Sequence, residues 1–173
     1  MLVTAAAGGL GATSIQMARA LGVGDIIGLA GSAEKRDFAL RQGADQALSY
    51  EDEIPPVDVV IETVGGELFD RCLAATRHLG RIVPLGASSG TAPVIPDWNQ
   101  LRRRNVGVLP FSFGMFRGAH PELVAETAHD AWELLRSGQI KPPVTATFAL
   151  ADAAEAHRLL TTRQTMGKLI LRA

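Results

Sequence analysis

The residues best suited to chemistry lie in one short run, Ala6-Ala7-Gly8-Gly9-Leu10-Gly11, directly after the apolar stub Leu2 to Ala5. The spacing is that of a Gly-x-Gly-x-x-Gly turn with Ala6 in the first glycine place. Gly8 lets the backbone approach a pyrophosphate, and Gly11 lets helix and strand pack closely. The helix that opens here presents unpaired N–H groups to the anion. A second test falls about 20 residues later, at the end of the next strand, where an acid would grip the adenosine ribose. The chain instead reads Ala30-Gly31-Ser32, with Lys35 and Arg36 just after. A hydroxyl and cations suit a 2′-phosphate that a carboxylate would repel, so the expected cofactor is NADP(H) rather than NAD(H). Glu34 and Asp37 weigh the other way, although acids commonly complement the first turn of a helix.

Other chemistries find no constellation. His78, His120, His129 and His157 have no ligand spacing and Cys72 is the single cysteine, so no metal site and no disulfide framework is expected. Ser88-Ser89 lacks a Gly-x-Ser-x-Gly elbow. The run Arg102-Arg103-Arg104 lacks interleaved aromatics and reads as a solvated helix end. No side chain of this chain is assigned as a catalytic acid or base, which suits hydride transfer, because the cofactor carries that chemistry.

The 173 residues carry 17 Lys and Arg against 18 Asp and Glu, so no global field attracts nucleic acid or an anionic membrane. No apolar run reaches the roughly 20 residues of a membrane span, and no signal peptide precedes the first strand. A soluble cytoplasmic protein is expected. Abundant Ala and Gly with few aromatics suit close helix-on-sheet packing.

Strands and helices alternate along the chain. After the turn, a helix carries Ile15, Ala18 and Leu21 on one face and ends at Gly22 and Gly24. Asp25 to Ala30 reads as a strand, Ser32 as an N-cap, and Ala33 to Arg41 as a helix closed by Gly43. Strands follow at Ala47 to Tyr50 and Val57 to Glu62. Gly65-Gly66 opens a helix through about His78, and Gly80 to Leu85 is the fifth strand. A short helix at Asp97 to Arg103 leads into a sixth strand, Val106 to Phe111. The expected fold is a doubly wound parallel α/β sheet of Rossmann type over residues 1–138. A tail, 139–173, carries a helix between two extended segments, Val144 to Phe148 and Lys168 to Leu171.

The segments Val3 to Gly11, Ala30 to Lys35, Gly43-Ala44-Asp45 and Val57 to Val60 occur in order with Val64-Gly65-Gly66, Gly80 to Val83, Gly86-Ala87-Ser88 and Gly167-Lys168. Together they resemble the cofactor domain and C-terminal tail of medium-chain dehydrogenases/reductases, and most of all the zinc-free quinone-oxidoreductase branch. The resemblance implies an NADPH-dependent reductase of quinones or α,β-unsaturated carbonyls. It implies that Ser32, Lys35 and Tyr50 surround the 2′-phosphate and that Gly8, Gly9 and Leu10 hold the pyrophosphate. It further implies that Val64, Gly65, Gly86, Phe111 and Phe113 line the path of the two riboses.

Members of that family carry a β-barrel catalytic domain ahead of the turn, whereas here Met1 directly precedes the first strand. The expectation is therefore a cofactor half that is inactive alone, with Val144, Phe148, Leu169, Ile170 and Leu171 short of cover. A stand-alone NADPH-binding module and the enoyl-reductase segment of a multifunctional synthase stay open as alternatives. The sixth strand falls last in the parallel series, so it is expected at the sheet edge and, as in relatives, to pair with a second copy about a two-fold axis.

Overall fold

The computed structural model describes residues 1–173. Its central sheet holds β1 (Leu2–Val3), β2 (Ile27–Leu29), β3 (Gln46–Leu48), β4 (Val57–Glu62), β5 (Thr76–Pro84) and β6 (Gly107–Val108). The order is β3-β2-β1-β4-β5-β6 and every pairing is parallel, which is the doubly wound arrangement the sequence implies. Between the strands run α1 (Gly9–Ala20), α2 (Ala33–Arg41), α3 (Gly66–Ala75) and α4 (Trp98–Arg104). Then come α5 (Phe113–Ala119) and α6 (Pro121–Arg136).

Alternation along each strand builds two cores. Leu2, Ile27, Leu29, Val60 and Ile82 face Phe69, Cys72 and Leu73 of α3. Val3 and Ile26 turn the other way, onto Ile15 and Ala18 of α1 and Ala39 of α2. Both residues of β1 are buried because the sheet is covered on both faces. Small residues set the spacing on the second face, where a Cβ at Gly28 would stand 2.9 Å from the Cβ of Ala6. Alanine at position 6 is thus a packing partner of Gly28.

The link from β3 to β4 crosses the middle of the sheet and carries no helix. It is held from α3, where the Arg71 guanidinium donates to the carbonyls of Tyr50 and Asp52, the latter at 2.7 Å.

Helix α2 and strand β4 have the bounds the sequence suggests. Most strands differ by a few residues at their ends, β5 starting at Thr76 rather than Gly80, and four further differences have an identifiable cause or consequence. Helix α1 begins at Gly9, inside the expected turn, and Leu21 is its C-cap and 71% exposed rather than on the buried face. Helix α3 stops at Ala75, short of His78. There the Thr76 hydroxyl donates to the Cys72 carbonyl at 2.9 Å, and Arg104 donates to the carbonyls of Leu73, Ala74 and Thr76. Arg104 is therefore a cap for α3 and not only a solvated cation. Strand β6 ends at Val108 instead of Phe111, because Pro110 has no N–H to continue the ladder. Leu109 and Phe111 still donate singly to Ile82 and Pro84. Helix α5 occupies residues to which the sequence reading gave no element, with Ser112 as its cap.

The tail forms a strand-helix-strand unit, with β7 (Val144–Ala149) parallel to β8 (Lys168–Arg172) and α7 (Ala153–Thr161) between them. It pairs with itself and not with the six-stranded sheet, and Val144, Ile170 and Leu171 are exposed as the sequence implies, while Phe148 and Leu169 are half-buried. The tail also returns to the glycine turn. Gly167 bridges Gly8, and its N–H donates to the Ala7 carbonyl at 2.8 Å.

Candidate functional site

The site lies where the order of strands reverses, at the C-terminal ends of β1 and β4, the crevice that doubly wound sheets use for ligands. Ala5, with φ of 47°, turns the chain out of β1, and Gly8 enters α1 in extended conformation. No side chain caps α1, so the first-turn N–H groups at Leu10 and Gly11 remain available as donors, while Gly9 faces the Gly167 carbonyl of the tail. A Cβ at Gly11 would stand 2.3 Å from the Ala5 carbonyl oxygen, so only glycine lets the helix start this close to the strand. Ala6 is fully buried, its N–H donating to the Leu29 carbonyl, whereas Leu10 is exposed.

The Ser32 hydroxyl caps α2 by accepting from the Lys35 N–H at 3.3 Å. Tyr50 lies beside it, its ring 3.5 Å from where a Cβ on Gly31 would stand. Burial pushes the Tyr50 phenol above its ordinary value, opposed by the Ala5 N–H and reinforced by the Glu62 charge. Lys35 reaches the tail, donating from Nζ to the Arg163 carbonyl at 2.5 Å. Ser32, Lys35 and Tyr50 therefore share one lip, closed on the far side by the tail.

On the other half, Val64 and Gly65 follow the buried carboxylate of Glu62, which accepts both of their N–H groups. The loop after β5 lies on this corner through Ser88 to the Thr63 carbonyl and Ser89 to the Val64 carbonyl, both at 3.0 Å. Gly86 and Phe111 line one cavity of about 430 Å³, with Pro84, Leu85, Ile95 and Pro110 in its wall. Phe113 does not join them. It opens α5, is 56% exposed, and lies five residues past the end of β6 rather than at that strand's end. A cavity of about 440 Å³ between α3 and α4, walled by Leu73, Leu101 and Arg104 among others, lies away from the strand ends.

The structure adds residues that the sequence left without a role. Glu62 read as the end of an apolar strand. Lys168 lies against the turn, with its Cγ 3.0 Å and its Nζ 3.3 Å from where a Cβ on Gly9 would stand. Lys168 meets a partner 159 positions away, and Glu62, whose carboxylate takes the nearby Val64 and Gly65 N–H groups, also meets Thr4 across 58 positions. No group of three or more His, Cys, Asp or Glu side chains is placed to hold a metal ion. Burial and then the Glu62 charge push the Cys72 thiol up to about 12, the state of an inert core thiol.

A family model for zinc-binding dehydrogenases matches residues 21–171. The chain is 32% identical over 187 residues to a quinone oxidoreductase-like protein 2 homolog of Nematostella vectensis, covering 99% of this chain and 50% of that one. A mycobacterial structure complexed with NADPH superposes with a TM-score of 0.87 at 31% identity, covering 99% of this chain and 56% of that one. Escherichia coli quinone oxidoreductase complexed with NADPH gives a TM-score of 0.84 at 30% identity, covering 99% and 56%. The chain spans about half the length of the curated relatives it matches.

Fold and crevice together define a dinucleotide-binding unit of the medium-chain dehydrogenase/reductase superfamily. The chain belongs to the zinc-binding dehydrogenase family, in the quinone-oxidoreductase-like branch.

Proposed function

We propose that this chain is the NADP(H)-binding part of an oxidoreductase that passes hydride to a quinone or an α,β-unsaturated carbonyl. The observation that carries the reading is the lip at the end of β2, where Gly31 and Ser32 meet the Tyr50 ring and Lys35, with no carboxylate at the strand end. A 2′-phosphate placed there meets hydroxyls and a cation. The NADPH carried by two solved relatives supports the same cofactor.

The cradle fits the group. Gly11 removes a Cβ that would block the turn, the N-terminus of α1 turns free N–H groups toward a pyrophosphate, and Lys168 adds a cation beside Gly9. Bound nicotinamide cofactor supplies the hydride. The chain's part is to orient and to exclude water: Pro84, Leu85, Ile95 and Phe111 give an apolar wall near the β5 and β6 ends. No side chain of that wall is a proton donor suited to catalysis, so we assign no catalytic acid or base.

We further propose a cytoplasmic protein, supported by the single buried thiol, and a homodimer joined at the exposed edge of β6. The cofactor reading is tested by calorimetric titration with NADPH and NADH. NADPH is expected to bind about tenfold or more tightly, and equal affinities would overturn it.

A further inference from the structure

One charged group in the crevice is used neither by the 2′-phosphate lip nor by hydride transfer. Glu62 ends β4, is fully buried, and takes part in none of the chain's ion pairs. Its carboxylate accepts the Val64 N–H at 2.6 Å, the Gly65 N–H at 3.0 and 3.1 Å, and the Thr4 hydroxyl at 3.4 Å. A carboxylate buried without a cation is costly, and an apolar side chain would fill the strand end without that cost. What an apolar side chain could not do is hold these donors.

The donors belong to backbone that has little freedom left. Gly65 and Gly66 both have positive φ, 75° and 58°, and a Cβ at Gly65 would stand 2.3 Å from the Thr91 carbonyl oxygen. The loop after β5 rests on the same corner. Through Thr4, whose hydroxyl also accepts the Thr63 N–H at 2.9 Å, the carboxylate reaches the residue before Ala5, where the glycine turn begins. One side chain thus ties the ends of β1 and β4 together at the corner on which the loop after β5 rests through Ser88 and Ser89. In a doubly wound sheet the dinucleotide crosses the reversal point, its adenosine half over β2 and β3 and its nicotinamide half over β4 to β6.

We infer that Glu62 is a positioning residue for the nicotinamide half of the cofactor, setting the Val64-Gly65 corner along which that half lies. The inference rests on the cofactor reading above. Its test separates the halves of the ligand. NADPH, and adenosine 2′,5′-bisphosphate, which carries the phosphate but no nicotinamide, are titrated into the wild-type chain and into Glu62→Gln. The amide keeps the volume and one acceptor oxygen, but its NH2 in the place of Oε2 cannot accept the Gly65 N–H, and the charge that draws both backbone donors is lost. The NADPH Kd is expected to rise about tenfold, while the bisphosphate Kd stays within about twofold.

A merely structural role weakens both ligands together. That result, or an NADPH Kd unchanged in Glu62→Gln, overturns the inference and leaves the cofactor reading standing. Thr4→Val, which removes the hydroxyl on the carboxylate, gives the same readout if the glutamine variant does not fold. Loss of both ligands or of neither in that variant counts against the inference in the same way. A wild-type chain that binds neither ligand brings down the cofactor reading and this inference with it.

Discussion

The ammonium of Lys35 donates to the backbone carbonyl of Arg163 at 2.5 Å, joining α2 to the tail across 128 positions of sequence. The same side chain stands on the lip with Ser32 and Tyr50. The tail is therefore part of the wall of the crevice beside the end of β2, and it touches the glycine turn where Gly167 bridges Gly8.

Lys35→Ala is expected to erode the preference for NADPH and leave NADH binding nearly unchanged. A charge-assisted contact with a phosphate contributes about 1.5–3 kcal/mol, and a half-exposed lysine falls at the lower end, roughly tenfold in affinity. Paired titrations of the two cofactors measure it. An unchanged NADPH-to-NADH ratio in the variant would remove Lys35 from the lip.

Gly11→Ala should destabilise the fold. Helix propensity favours alanine by about 1 kcal/mol, but the new Cβ meets the Ala5 carbonyl at 2.3 Å and the Ala6 Cα at 2.8 Å. Backbone cannot step aside like a side chain, so the overpacking cost wins, and a net loss of about 2 kcal/mol lowers Tm by about 4–8 °C. Gly24→Ala, where an added Cβ meets nothing within 4 Å, is the control and should leave Tm unchanged. Equal midpoints for the two variants would contradict the close strand-to-helix approach.

Strand β6 is the last of the sheet, with Leu109 beyond it 50% exposed. An apolar edge without central charge is a template for pairing. The chain is expected to be a two-fold dimer at tens of micromolar, and Val108→Lys a monomer. Light scattering decides, and a monomeric wild-type chain ends the proposal.

Cys72 should resist alkylation in the native chain at pH 8 and react on unfolding, because burial pushes its thiol up to about 12. The sign for stability follows. A folded value above the unfolded 9.0 contributes stability that is complete below about pH 9 and is lost as pH rises toward about 12. Urea midpoints should therefore fall more steeply over that window in the wild type than in Cys72→Ala. Parallel slopes would show that the thiol does not contribute.

Much of the architecture was legible because local signals carry it. The glycine spacing from Ala6 to Gly11, the cap at Ser32 and the apolar run of β4 each report on a few adjacent residues, and each lies where that reading puts it. Boundaries slipped where a distant partner ends an element. Arg104 stops α3 from 28 or more positions away, and no window around Ala75 contains it. The resemblance set Phe113 beside Phe111 on the ribose path, yet Pro110 breaks the ladder and Ser112 starts a helix.

By itself the sequence determined the class of fold, the glycine cradle and the absence of an acid at the end of β2, all properties of residue type and spacing. Only the tertiary structure decided that the tail closes against the cradle through Gly167 and Lys35, and that Glu62 is buried under the Val64-Gly65 corner. The physical reason is separation. Hydrogen bonds and packing act over a few ångströms of space, and Thr4 meets Glu62, Arg163 meets Lys35 and Gly167 meets Gly8 only when segments far apart in the chain lie side by side.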